Sequence, residues 1–300
     1  MAEDTLFCRV PGQPLGSRTL LRAVELLGPV GAAGRPGGRW YAQPSGEGPA
    51  RETGLWFRAS PEVLKEIEAL LLAASWPGDA PVSVEYAGGG QRAPGAGPFR
   101  WEPGGELSAA SSELALAVAG SGAGLPGAGA GTVFAVAHVG RVAELVPDDQ
   151  RAGFLFQCWQ WRAADLAPGE RRELAVRAGA EAAGLLREAA GLRWPAGVRP
   201  AWDRYLRTAA ALAAEGPGGS ELPVNYLLFE HIRLTHRRLG VPAAAEALAA
   251  RVVRAGSAGG SREGIRGDGI SGAGADRTDR PGRSGLAGQS PARDRAAVGG

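Results

Sequence analysis

The sequence predicts an α+β protein: a mixed α/β domain with its strands in the N-terminal half and a helical C-terminal half, followed by a disordered tail. Three observations predict it. Short stretches rich in β-branched and aromatic residues recur as far as Val139. From Pro147 to Ala255 only helical periodicity is present. Beyond Gly256 the aliphatic residues all but vanish.

Five stretches read as strands: Thr5–Val10, Arg39–Gln43, Gly54–Ala59, Pro81–Ala87 and Thr132–Val139, the last with the composition TVFAVAHV. Helices lie between them. Thr19–Leu27 is short and amphipathic. Ser60–Ala74 opens on a serine cap with Pro61 at the first helical position, and it sets Val63, Leu64, Ile67, Leu70 and Leu71 on one face. Leu107–Ala119 follows the turn Glu102-Pro103-Gly104-Gly105. The C-terminal half reads as Asp148–Leu166, Pro168–Ala190, Pro200–Glu215, Leu222–Leu239 and Pro242–Ala255, with Pro, Asp or Gly at most boundaries. Residues 1–255 therefore form the folded domain. Residues 256–300, rich in Gly and Arg, bury too little apolar surface to offset chain entropy and are expected to be a disordered tail.

The 300 residues are 44% hydrophobic, enough to bury a core. Lys65 is the only lysine, an arginine bias that reads as high-GC coding sequence rather than chemistry. Net charge is +2, yet residues 1–255 hold 26 charges of each sign, so the surplus lies in the tail. A nucleic-acid binder would concentrate positive charge on its folded part, and this chain does not. No apolar run reaches membrane-spanning length, and the acidic start MAEDTLFCRV is unlike a signal peptide. Cys8 and Cys158 stand alone, too few for a disulfide framework and without metal spacing. A cytoplasmic protein without nucleic-acid or membrane partners is expected.

Several motifs fail. Gly122-Ala123-Gly124-Leu125-Pro126-Gly127 spells a dinucleotide fingerprint, but it follows a helix and precedes a strand, the reverse of the context that phosphate binding needs. There is no phosphate loop and no nucleophile elbow. His138 falls on a predicted strand, while His231 and His236 are five apart on a helix and so on different faces. No metal and no cofactor is expected.

The informative stretch is Ser220 to Gly240, SELPVNYLLFEHIRLTHRRLG. As a helix it carries an apolar stripe of Leu228, Ile232, Thr235 and Leu239, and a second stripe of Tyr226, Glu230, Arg233 and Arg237. The second stripe is either a solvated face laced with ion pairs or the polar wall of a cleft. In a cleft, the phenol would relay protons and the arginines would hold a carbonyl or carboxylate.

Ile232-Arg233-Leu234-Thr235-His236-Arg237-Arg238-Leu239-Gly240-Val241 resembles the C-terminal helix signature of the lantibiotic dehydratase elimination-domain family, the thiopeptide-type bacteriocin biosynthesis proteins, which reads roughly L-H-L-T-H-N-R-L-G-[IV]. Gly54-Leu55-Trp56-Phe57-Arg58, after the aromatic strand Arg39-Trp40-Tyr41, is similar to a family strand H-L-R-L-R-F. Trp101-Glu102-Pro103-Gly104-Gly105-Glu106-Leu107 looks like a shortened Y-E-P-E…Y-G-G segment. The matches span residues 38–250. In glutamate-eliminating members the first histidine of the signature serves the reaction. Here that position holds Arg233, a poor general acid or base.

The resemblance therefore points to the divergent pyridine synthase branch. These enzymes join two dehydroalanines of a modified peptide by a formal aza-[4+2] cycloaddition and then eliminate water and the leader peptide. It implies catalytic roles for Tyr226, Ser220 and Glu230. It implies substrate contacts from Arg233 and Arg237 and azole stacking by Trp101, Trp159 and Trp161. Core burial of the tryptophans and a helix-entry cap at Ser220 are the plainer alternatives. The partner it implies is a modified precursor peptide, leader and core, beside other biosynthetic enzymes of the same cluster. A glutamate-elimination lyase and a non-catalytic peptide-binding module are the alternative functions.

Overall fold

The computed structural model of the chain describes residues 4–11, 39–45, 52–74, 82–87, 105–122, 124–125, 129, 131–164, 166–216 and 222–263. Four of the five expected strands are present: β1 (Asp4–Pro11), β2 (Arg39–Ser45), β3 (Glu52–Ala59) and β4 (Ser83–Ala87). They form one antiparallel sheet in the order β2-β3-β1-β4. Its register pairs Leu6 with Phe57, Tyr41 with Trp56 and Cys8 with Val84. Because side chains alternate along a strand, Leu6, Cys8, Val10, Leu55, Phe57 and Ala59 share one face and Phe7, Tyr41 and Trp56 the other.

Helix α1 (Pro61–Ala73) covers the first of these faces with Leu64, Ile67 and Leu71. The helices that follow are α2 (Glu106–Gly120), α3 (Thr132–Ala143), α4 (Asp148–Ala163), α5 (Pro168–Ala190), α6 (Arg199–Glu215), α7 (Val224–Arg238) and α8 (Ala243–Glu263). Strands first and helices afterwards is the α+β arrangement expected. The expected helix Thr19–Leu27 lies outside the described residues. Among the described residues no helix is long and apolar enough to cross a membrane.

One element is corrected. Thr132–Val139 is not a strand but the first two turns of α3. Its valines recur at 133, 136, 139 and 142, and those positions are buried together with Phe134, Ala135 and His138. A helix that is apolar all round reads like a buried strand when the window is short. The stripe running on to Ala143 is what distinguishes them. α3 sits at the centre of the helical layer and packs on α8, α5 and α7. The glycine-rich segment before it therefore connects two helices, still not the strand-to-helix turn of a nucleotide site.

α2 joins the two layers. Its small buried residues Ser108, Ala110, Ser111, Ser112 and Ala115 let it lie close to β2 on one side and to α6 and α7 on the other. The last helix also differs from expectation. α8 continues eight residues past Ala255, to Glu263, across the expected end of the domain. Gly256 sits against α5 there, where a Cβ would come within 2.6 Å of Leu186 Cδ1. Residues 264–300 of the expected tail lie outside the described residues.

Candidate active site

α7 ends in a complete Schellman closure. Val241 N–H donates to the His236 carbonyl at 2.9 Å and Gly240 N–H to that of Arg237 at 3.3 Å, with Gly240 at φ +71°. This fixes the register of the helix and hence of its two stripes. Leu228, Ile232 and Thr235 are buried and Leu239 half-buried, as the spacing predicts.

Tyr226, Glu230, Arg233 and Arg237 are all half-buried, neither core nor freely solvated. The Tyr226 hydroxyl donates to Glu230 Oε1 at 3.5 Å, and Arg233 Nε donates to Glu230 Oε2 at 3.0 Å. A second guanidinium nitrogen of Arg233 stands 2.8 Å from the same oxygen. The side chains of Glu230 and Arg233 are 17% and 34% exposed, so solvent reaches this pair without fully screening it. Partial burial and the neighbouring Glu230 carboxylate push the Tyr226 phenol above its ordinary value, against the opposing pull of Arg233. At neutral pH the phenol therefore keeps its proton and is a donor.

Of the expected stacking residues, Trp161 is brought to this line. It is 54% exposed, its ring lies 6.0 Å from Phe229, and Phe229 lies 6.0 Å from Tyr226, edge to face. Trp159 is not. Two residues along α4 turns it to the opposite side, where Arg251 of α8 stacks 4.9 Å from its ring and the indole packs on the helical core. Ser220 and Trp101 lie outside the described residues.

The sequence reading missed a second set of polar groups, directly behind the first. Arg238 is 2% exposed and donates from Nε to the Ala42 carbonyl of β2 at 2.6 Å and from Nη1 to Ser111 Oγ at 2.9 Å. Ser111 and Thr235 hydroxyls are 2.8 Å apart, and Thr235 donates to the Tyr205 hydroxyl at 3.3 Å. Tyr205 meets His138 Nε2 at 2.9 Å, and His138 Nδ1 meets His236 Nε2 at 3.0 Å. His236 Nδ1 stands 3.5 Å from Glu246 Oε2, and Glu246 is held by Arg162 through contacts of 2.9 Å to each of its oxygens.

Burial pushes His138 well below its ordinary value, with His236 and His231 adding to the effect. It pushes His231 to about 3 and Arg238 to about 10, and lifts Tyr205 to about 12. Spacing on one helix separates His231 from His236, yet both are buried because α7 is enclosed by α2, α3, α6 and β2. Thr235, His236, Arg238 and Gly240, four of the seven letters shared with the family signature, thus serve the interior and the helix end. The signature was itself the signal: a Thr-His-x-Arg run set into an apolar stripe marks buried polar partners.

No group of three side chains able to hold a metal occurs among the described residues. The exposed side of α7 offers a phenol donor, a carboxylate and a guanidinium in one line, a set suited to moving a proton and holding a carbonyl oxygen.

No family model and no curated protein matches the sequence. Solved structures do match in fold. TsrL superposes with a TM-score of 0.52 at 12% identity, over 87% of this chain and 96% of that one. TbtD, a pyridine synthase from thiomuracin biosynthesis, superposes with a TM-score of 0.51 at 16% identity, over 87% of this chain and 99% of that one. The fold expected from the family resemblance is the fold these structures share with the chain.

Proposed function

We propose that this protein is a thiopeptide-type cyclase that closes a pyridine from two dehydroalanines of a modified precursor peptide. The observation that carries the reading is the line Tyr226–Glu230–Arg233 on the accessible side of α7, in a chain whose fold matches that of a pyridine synthase. In the formal aza-[4+2] step, the amide linking one dehydroalanine to its neighbour reacts as its imidic tautomer, and two new bonds close a six-membered ring. The amide oxygen then leaves as water and the leader peptide leaves as its carboxamide. The ring becomes aromatic with no net oxidation.

Every one of these steps needs protons delivered to, or taken from, oxygen and nitrogen. The protonated Tyr226 phenol is the donor, and Glu230, ion-paired with Arg233, is the acceptor that recharges it. Arg233 and Arg237 supply N–H groups for peptide carbonyls, and Trp161 offers an exposed ring for an azole. Ser220, Trp101 and Trp159 stay in the proposal as further candidates, the first as a second hydroxyl at the entrance to α7.

The full-length protein is to be incubated with a dehydrated, azole-containing precursor and the products weighed. Loss of water and of the leader carboxamide is the expected result. Tyr226→Phe should lower the single-turnover rate by about 10²–10⁴-fold with an unchanged melting temperature. A stable Tyr226→Phe protein that cyclises at the wild-type rate removes Tyr226 from the mechanism. Binding without conversion makes the protein a peptide-binding module, and glutamate loss from a glutamylated peptide makes it an elimination lyase.

A further inference from the structure

The polar groups behind α7 can be assigned proton by proton. A guanidinium only donates, so Ser111 accepts from Arg238. Thr235 gives its one proton to Tyr205, so the short Ser111–Thr235 contact is a donation from Ser111. Tyr205, already accepting, sends its proton to His138 Nε2. That nitrogen is therefore bare, His138 carries its proton on Nδ1, and it donates to His236 Nε2. His236 in turn carries its proton on Nδ1, facing the Glu246 carboxylate, which can only accept. The bonds run one way, from a buried cation with no carboxylate partner among the described residues to His236, whose Nδ1 stands 3.5 Å from a buried carboxylate.

We propose that this one-way chain is a proton-gated latch on α7, closed while His138 is neutral and opened when His138 takes a proton. It concerns the interior beneath α7 and stands whether or not the accessible side of that helix is catalytic. A second proton on His138 puts an N–H against the Tyr205 hydroxyl, which already accepts from Thr235, and leaves Tyr205's own proton without an acceptor.

The groups that face the chain offer the new charge no relief. They are His231 and Arg238 from α7, Tyr205 from α6, Ser111 from α2, Cys158 and Arg162 from α4, Tyr41 from β2 and Glu246 from α8. Glu246 is the one carboxylate among them, and it stands beyond His236, already held by Arg162. The link that breaks joins Tyr205 of α6 to His138 of α3, the two side chains on which Thr235 and His236 of α7 are seated, so α7 loosens with them.

Two measurements on the full chain test the latch. Nitrogen NMR of ring-labelled histidine at pH 7 should show both His138 and His236 protonated on Nδ1 and bare on Nε2. Hydrogen-exchange protection across residues 224–241, corrected for intrinsic rate, should fall about ten-fold or more between pH 7 and pH 5 while residues 168–190 keep theirs. His138→Gln carries an amide that can accept from Tyr205 and donate to His236 but takes no proton, and should lose clearly less protection at pH 5 than the wild type, the remaining loss being that of His231. An Nε2-protonated or doubly protonated ring at pH 7 overturns the assignment. Unchanged protection at pH 5, or a folded His138→Gln protein as acid-sensitive as the wild type, overturns the gate. If that variant fails to fold, His231→Gln, which removes the other strongly shifted ring of α7, decides: it should still lose protection at pH 5, and protection unchanged from pH 7 overturns the gate.

Discussion

Glu246 shows what one side chain can cost when its neighbours change. It is 2% exposed, and Arg162, 16% exposed, is the cation that holds it. Arg162→Met would leave that carboxylate buried and uncompensated, a loss of about 3–5 kcal/mol. Exchanging both partners, Arg162→Met with Glu246→Leu, should recover much of it, and urea unfolding of the single and double variants checks this. His231 sets a different dependence. Its folded value of about 3 lies below the ordinary histidine value of about 6.5, so its contribution is present above pH 6.5 and lost as the pH falls below it. Between pH 7 and pH 5 this one ring should remove about 2 kcal/mol of stability. His231→Gln should flatten the pH profile by that amount. At this scale the sequence was half legible. Tyr226, Glu230 and Arg233 could be placed together because a single helix sets their spacing. The chain from Arg238 to Glu246 could not, because its members come from five elements, and His138 had been set on a strand.

Among elements, the ones punctuated by proline or glycine were legible to within a residue or two. α5 was read at its observed bounds, Pro168–Ala190, because Pro168 starts it and Gly191 follows it. The four strands were found because their alternation is real: one face meets α1 and the other holds Phe7, Tyr41 and Trp56. α3 failed for a physical reason: over Thr132–Val139 only Thr132 and Ala137 are not fully buried, so that window has too little polar face to betray its period. The closure of α7 gives a test at this level. Gly240 at φ +71° is in the left-handed region that a Cβ disfavours, with open space around it. Gly240→Ala should therefore cost about 1 kcal/mol through backbone strain alone. Calorimetry should register it as a lower melting temperature with the fold intact.

For the whole molecule, the α+β division was read correctly because composition changes along the chain: β-branched and aromatic residues early, alanine and leucine late. Aliphatic content falls after Val253, while α8 goes on to Glu263. A chain ending after Glu263 should keep the melting temperature and activity of the full-length protein, since the 37 residues beyond it carry almost no aliphatic side chains. A clear drop in either would mean that this segment docks. The contact between Arg238 and Ala42 carries a consequence of another kind. The outward amide of Ala42 is taken by Ser112, 70 residues on, and its carbonyl by Arg238, 196 residues on. The edge of the sheet is thus finished by nearly the last part of the folded chain to be synthesised. At translation rates of about 5–20 residues per second, β2 waits roughly 10–40 s for its guanidinium. During that interval the nascent protein presents an unpaired strand edge, the surface on which a chaperone or a neighbouring nascent chain would act first.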